Sequence, residues 1–300
     1  MSELLLRRRN LLMRKQEEEL NIRAVCFKAD GEQTVTIKQV NITSAKVFQY
    51  SYDGVTWESW DLSPLPFGGS TKVYVRGYNK TLSYDKTIYE YFSFSTDAYV
   101  YVSGIVESLL DGDNEVLTYG TQGILRQLFY QQTALRSAEN LRFEAQSAPN
   151  NVPSVYAFMF DGCTNLLYAP KVLPAQNFLG QYCYQYMFLN CTSLITAPEL
   201  PATALGIKAY QYMFQGCTSL VNAPELPATT LSNYCYQYMF DGCTSLKTIR
   251  CHAKVTATNA TLNWLKGVNT AGTFYGHSEY GWETGVSGIP SGWEFVELTD

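Results

Sequence analysis

A nearly literal repeat dominates the second half of the chain. Residues 210–229 read YQYMFQGCTSLVNAPELPAT, and residues 236–241 begin the same phrase again as YQYMFD. An active site needs its groups once, whereas stacked coils need each packing residue once per layer. The pattern therefore predicts a repeat solenoid. The units share a Met-Phe pair, with Cys four and Leu seven residues after the Met, and begin at Met159, Met187, Met213 and Met239.

Each unit is predicted to contain a short helix, a brief strand and a proline-rich break. Tyr184, Met187 and Phe188 have i, i+3, i+4 spacing, which predicts one buried face of a short helix. A Gly or Asn follows, as helix C-caps prefer, at Asn190, Gly216 and Gly242. The segment CTSL predicts a strand, which APELP ends because proline cannot continue a strand ladder. A degenerate unit at Leu128-Phe129 raises the expected number to about five coils.

The cysteines follow the repeat period. Among the eight, no two have CxxC spacing, which argues against a zinc site or a thioredoxin-like motif. Stacked coils would superpose equivalent cysteines with parallel Cβ vectors, which do not favour disulfides. We therefore expect a column of reduced, buried thiols that pack as small apolar groups, formed by Cys163, Cys191, Cys217 and Cys243.

Outside the repeats the pattern changes. Residues 22–103 alternate polar with β-branched or aromatic residues, and Asp53-Gly54 is a strong hairpin signal, which predicts a small immunoglobulin-like β-sandwich. The expected fold class is mixed β and α/β: an N-terminal helix, a small β-sandwich and a leucine-rich-repeat solenoid with a C-terminal cap. The predicted boundaries are 1–21 for the helix, 22–103 for the sandwich, 104–127 for a connector and solenoid N-cap, 128–250 for the solenoid, and 251–300 for the C-terminal cap.

Residues 1–21 predict a short helix that docks or oligomerises. Its Arg cluster lies in the N-terminal half and three Glu residues lie near its C-terminal end, both opposed to the helix dipole. Such a helix would gain most from a partner. The alternative is a frayed, solvated tail. The docking candidates are Leu4, Leu5, Arg7, Arg8, Arg9, Leu11 and Leu12.

Composition excludes several function classes. The net charge of −5 argues against a nucleic-acid partner, and no apolar run approaches the ~20 residues of a membrane span. The chain has only two histidines, His252 and His277. Cys251 and His252 are adjacent and would point apart if extended, and His277 is expected in a solvated turn near Glu279 and Glu283. We therefore predict no catalytic residues, no metal site, no cofactor and no enzyme activity.

Recurring surface residues supply the candidate binding site. Tyr184 and its equivalents three residues before Met are expected in the core. The Tyr at Met-minus-one and the Gln beside it point elsewhere and predict an exposed aromatic and amide row for sugars or protein partners. The alternative is an edge of inter-coil packing. Glu199 and Glu225 recur in successive units and predict an exposed row, not an acid/base pair. The candidates for ligand binding are Tyr182, Gln185, Tyr186, Gln211, Tyr212, Tyr234, Gln237 and Tyr238.

The units MFDGCTNLLYAPKVLP, MFLNCTSLITAPELPAT and MFQGCTSLVNAPELPAT resemble BspA-like leucine-rich repeats of gut Bacteroides and their phages. FQYSYDGVTWESW resembles the β-domain that often precedes them, and TFYGHSEYGWETGVSGIPSGWEF resembles their C-terminal cap. The resemblance implies binding and adhesion. The start ELLLRRRNLLMRK is similar to starts of phage-encoded members. These likenesses predict an oligomeric virion fibre or decoration protein that docks on capsid or tail proteins and binds a host-surface glycan or protein. The alternative is a bacterial cell-surface adhesin.

Overall fold

The structure is a computed structural model. It describes residues 22–30, 35–42, 46–69, 71–79, 91–95, 98–111, 125–144, 153–174, 178–254 and 257–299. The helix predicted for residues 1–21 and its docking residues lie outside this part of the chain. The described residues are mostly β-structure, and none of their helices is long and apolar enough to cross a membrane.

Two sheets form the N-terminal part. Their strands are β1 (Val25–Ala29), β2 (Val35–Val40), β3 (Phe48–Ser51), β4 (Glu58–Trp60), β5 (Leu65–Phe67), β6 (Val73–Gly77), β7 (Tyr91–Ser95), β8 (Val100–Ile105) and β9 (Leu135–Arg142). A larger sheet has the order β4-β3-β6-β1-β8-β9, and a three-stranded sheet has the order β5-β2-β7. One four-residue helix, α1, follows β8 at Ser108–Asp111.

The two sheets share an aromatic core. Phe27 of β1 contacts Phe92 and Phe94 of β7, with ring centroids 5.9 and 5.7 Å apart. The predicted hairpin is confirmed: β3 pairs with β4 in antiparallel register, and Gly54 between them has a φ of 76°. The alternating pattern therefore places its apolar residues between the sheets, as expected for two packed layers.

The repeats continue the larger sheet. Strand β9 (Leu135–Arg142) pairs in parallel with β8, and Ser137 of β9 bridges Tyr168, which in turn bridges Thr196. The chain ends in a parallel sheet of β10 (Thr248–Arg250), β11 (Thr273–Gly276) and β12 (Glu294–Glu297). One hydrophobic core cluster runs from the two-layered part into the repeats. Successive coils therefore add strands in parallel to a sheet that begins before the first repeat.

The segment predicted as a short helix is a series of tight turns. Tyr182, Tyr186 and Asn190, each four residues apart, have φ values of 59°, 60° and 57°. A right-handed helix cannot contain such residues. Met187 N–H donates to the carbonyl of Tyr184, whereas Phe188 N–H donates across to Met213 of the next coil, at 2.9 Å. The helix prediction is wrong, because alternate N–H groups leave the coil. The residues predicted as caps end each series in the left-handed conformation.

A four-residue period also sets what is buried. Cys183 with Tyr184, and Met187 with Phe188, point inward, and the residues between these pairs are partly exposed. The phenylalanines of successive coils stack with centroids 5.3–5.5 Å apart, from Phe129 through Phe160, Phe188 and Phe214 to Phe240. The same turns recur at 257–267, where Phe240 N–H donates to Trp264. The described chain thus forms six coils where the sequence predicts about five, because Trp264-Leu265 replaces Met-Phe.

Candidate binding surface of the repeats

Four outward rings form the tyrosine column, which consists of Phe158, Tyr186, Tyr212 and Tyr238. Their centroids lie 4.5, 4.7 and 4.8 Å apart, and the planes of Tyr212 and Tyr238 differ by 4°. All four have positive φ, which turns their side chains out of the coil and over one another. Because each ring covers its neighbour's face, a ligand meets ring edges and hydroxyl groups. Burial raises the pKa of Tyr186 and of Tyr212.

The glutamines beside the column form a buried ladder. Gln185 donates from Nε2 to Oε1 of Gln211, and Gln211 donates in the same way to Gln237. Gln211 and Gln237 are only 4% and 9% exposed. The predicted exposure of the amides is therefore wrong at these two positions, because stacked carboxamides satisfy one another across coils, as in other glutamine ladders. Their role in ligand binding stays a prediction.

A second outward column contains Tyr182, Lys208 and Tyr234. The Lys208 ammonium lies 5.5 Å from the ring centroid of Tyr182 and 5.6 Å from that of Tyr234, within cation–π range. All three residues have positive φ and stand five residues before a Met. Lys208 was not among the predicted site residues. The signal that could have found it is its alignment with the two tyrosines.

Two residues close the tyrosine column at its ends. The guanidinium of Arg126 lies 4.6 Å from the ring centroid of Phe158. At the other end, Nδ2 of Asn263 donates to the hydroxyl of Tyr238 at 3.0 Å. Arg126, Phe158 and Asn263 were also missed by the sequence reasoning. The column is therefore a finite, ordered surface of three partly exposed tyrosines, in which Asn263 occupies one acceptor site of the Tyr238 hydroxyl.

The expected buried thiols are confirmed. All eight cysteines are free and buried. In the repeat column each thiol donates to the carbonyl of a phenylalanine in the preceding coil, as Cys191 Sγ does to Phe160 at 3.1 Å. Cys251 is also buried, which raises its pKa to about 12. Its neighbour His252 instead contacts Glu225, with 2.9 Å between Nε2 and Oε1. Cys251 therefore stays a protonated packing residue at neutral pH.

The structure brings the two histidines together. The rings of His252 and His277 lie 5.8 Å apart between centroids, and His277 lies 5.1 Å from the ring of Tyr280. The sequence placed them in unrelated loops, since parallel pairing of β10 with β11 was not foreseen. In the described part of the chain, no three His, Cys, Asp or Glu residues are arranged to hold a metal ion. Glu199 and Glu225 are both exposed.

Comparison with known proteins agrees with the geometry of the coils. Residues 137–262 match the family model described as BspA type leucine rich repeat region, in six copies. No curated protein and no solved structure compared with the chain matches it. The matched range contains the tyrosine column, the Gln ladder and the Tyr182–Lys208–Tyr234 column.

Proposed function

Because residues 137–262 of this chain are BspA-type leucine-rich repeats, we propose that the protein is a non-enzymatic, adhesin-like binding protein. Repeats of this family are generally associated with binding. The observation that best supports this proposal is that outward residues recur in register from coil to coil. The ring centroids of Tyr186, Tyr212 and Tyr238 lie 4.7 and 4.8 Å apart. Buried columns of Phe, Met and Cys fix that spacing, so the stacked coils hold the outward side chains at regular distances from one another.

The ligand we propose is a host-surface glycan or protein. Tyrosine hydroxyls donate and accept hydrogen bonds, and Lys208 adds one cation between two rings. A single such contact is weak. Several copies of the protein on one surface would raise the overall affinity without any new contact, so we propose that it acts as a homo-oligomer or as an array.

Phenylalanine substitutions test the tyrosine column. The double variant Y186F/Y212F removes two hydroxyls of the partly exposed column but keeps the ring stack, so retention on a glycan array should fall about fivefold or more. Y186A/Y212A should abolish retention and also lower the melting temperature. A Y184F variant removes a buried hydroxyl of the same coil, which donates to the carbonyl of Pro174, and so controls for a loss of stability that leaves the surface column intact. Equal retention by wild type and Y186F/Y212F would contradict the assignment.

The setting we propose is a phage particle, on which the protein serves as a fibre or decoration. The support is the sequence of residues 1–21, with its leucine and arginine clusters, which would dock on capsid or tail proteins. The family resemblance equally supports the alternative, a bacterial cell-surface adhesin. Detection of the intact polypeptide in purified virions, lost when residues 1–20 are deleted, is the expected result. Recovery from host outer-membrane fractions alone would favour the adhesin.

A further inference from the structure

A groove opens between the third and fourth coils. It is lined by residues 195–201 on one side and by 222–225 and Pro227 on the other, and its volume is about 630 Å³. None of these lining residues is Lys, Arg or His, while Glu199 and Glu225 both belong to it. The groove shares no residue with the tyrosine column or with the Tyr182–Lys208–Tyr234 column.

The groove lies where the backbone ladder between coils is interrupted. At the other described junctions up to the fifth coil, the residue at this position donates its N–H to its equivalent in the preceding coil, and at the last junction Thr273, which pairs with Thr248, donates to Lys247. Among the described residues, the corresponding bond from Val221 to Ile195 is not formed. The bonds present run from Leu167 to Arg136, from Ile195 to Leu167, from Lys247 to Val221 and from Thr273 to Lys247, at 2.9, 3.0, 2.8 and 2.7 Å.

The interruption extends along the strand. Ala223 and Leu226 donate to Thr248 and Arg250 of the fifth coil, each at 3.0 Å. Their equivalents Ala197 and Leu200 donate to no residue of the fourth coil within the described chain. On the opposite side the same two coils stay joined, since Phe188 N–H donates to Met213 at 2.9 Å. Backbone donors and acceptors therefore face an open slot in an otherwise closed stack.

The sequence explains why the ladder opens here. Residues 197–203 and 223–229 both read APELPAT, so closed pairing would set Glu199 beside Glu225. Like charges directly opposite destabilise paired strands, and the prolines of both copies lack the N–H that pairing needs. The neighbouring junctions avoid this conflict, because Glu199 bridges Val172, and the bridge of Leu226 to Cys251 sets Glu225 beside Arg250.

We propose that this slot binds an extended peptide segment carrying a Lys or Arg side chain, a site beyond the glycan surface proposed above. The N–H groups of Ala197, Leu200 and Val221, which donate to no backbone acceptor of the described chain, match the main chain of an added strand. Glu199, and the Glu225 oxygen that does not contact His252, supply charge-assisted hydrogen bonds to the ammonium or guanidinium group. Ile195 and the prolines form the apolar wall. A cation between Glu199 and Glu225 also offsets the repulsion between the two carboxylates while the added strand occupies the slot.

An array of immobilised octapeptides tests the site. Each peptide alternates Thr and Val and carries one of the twenty amino acids at a central position. Wild-type protein should be retained about tenfold more by Lys and Arg peptides than by Gln peptides, and E199Q/E225Q should lose this preference. Y186F/Y212F should keep it, which separates failure of the groove from failure of the glycan surface. Equal retention of all peptides, retention of none, or binding of glycans in the groove would each overturn the proposal.

Hydrogen exchange gives a second readout that needs no ligand. In the wild type, the amides of Ala197, Leu200 and Val221 should exchange fast compared with that of Lys247, which is paired at the equivalent position. The E199Q/E225Q variant replaces repulsion by a Gln pair of the kind seen at Gln185 and Gln211, so exchange at the three amides should slow by about tenfold or more. Three amides already as protected as Lys247 in the wild type would refute an open slot.

Discussion

Asp161 is an acidic residue at a largely buried position of the repeats. It stands two residues after a Met, where the next coil carries Leu189, a side chain that offers no hydrogen bond. Gln215 and Asp241 occupy the same position of the fourth and fifth coils, and there Gln215 donates a hydrogen bond to the Asp241 carboxylate at 2.7 Å. Burial raises the pKa of Asp161 to about 7. At neutral pH this carboxyl is therefore divided between its charged and neutral forms.

Replacing Asp161 should change how stability depends on pH. Because its folded-state pKa of about 7 lies above the ordinary value of 3.8 for this side chain, the folded protein holds the proton more tightly than the unfolded chain. The free energy of unfolding that comes from this tighter proton binding is fully present below pH 4, and it is lost as the pH rises to about 7. D161N should therefore match the wild type at pH 4 and exceed its free energy of unfolding at pH 8 by about 1–2 kcal/mol, after allowing for partial solvent screening. Urea denaturation at both pH values measures this difference. A constant difference would contradict it.

At the scale of elements, the series of turns contains residues in the left-handed backbone conformation, which is intrinsically unfavourable. Bulky residues such as Tyr186 and Tyr212 pay about 1–2 kcal/mol each for the left-handed conformation. Stacked aromatic pairs contribute about 0.5–1.5 kcal/mol beyond their buried area. Each four-residue turn also donates two N–H groups to the next coil, as Tyr186 and Phe188 do to Gln211 and Met213. The turns are therefore stable only when stacked. An isolated unit should not keep this conformation.

Lys208 offers a test of the turn conformation. Both K208G and K208A remove the ammonium from between Tyr182 and Tyr234, so the difference between the two variants reports the backbone alone. With φ at 58°, Gly should be more stable than Ala by about 1 kcal/mol. In a helix the order would be reversed, with Ala ahead of Gly by about the same amount. Chemical denaturation of the two variants measures the order.

The sequence predicted the repeat, its buried columns and its outward positions, but not the element that carries them. Tyr184, Met187 and Phe188 fit a helix as well as a series of turns. The distinguishing signal is weaker: Cys183 and Cys191 stand four residues before and after Met187, and both are buried. In the third to fifth coils, glycine or asparagine marks only the last left-handed position, at Asn190, Gly216 and Gly242, and tyrosine or lysine stands at the earlier ones. In the sixth coil, Asn259 and Asn263 mark the earlier positions as well. The sequence also predicted that Tyr212 points outward, but it did not reveal that the rings of Tyr186 and Tyr238 cover both of its faces.

At the scale of the whole molecule, the sheet domain and the repeats share one core. Strand β9 pairs with β8 across the junction. The carboxyl group of Glu107, which is 0% exposed, accepts a hydrogen bond from the hydroxyl of Tyr156 at 2.8 Å, so a buried polar group of the first part depends on a repeat residue. The two parts should therefore unfold together, in one transition.

Removing the Tyr156 hydroxyl tests that coupling. Y156F takes one donor from the buried Glu107 carboxyl group and should lower the free energy of unfolding by about 1–3 kcal/mol. Calorimetry should still show a single transition, shifted to lower temperature. Y212F, which removes a hydroxyl at the surface, should shift it by less than about 0.5 kcal/mol. Two separate transitions in either variant would show that the parts are independent.

The two adjacent APELPAT segments have a consequence for how such a chain can grow. Duplicating one 26-residue unit leaves every packing contact of the same kind and lengthens the molecule by one layer of about 4.8 Å. It would also set a third glutamate against the existing pair and open a second slot. The length of the molecule and the number of its binding slots therefore both depend on the number of identical layers. Both change together whenever a layer is gained or lost.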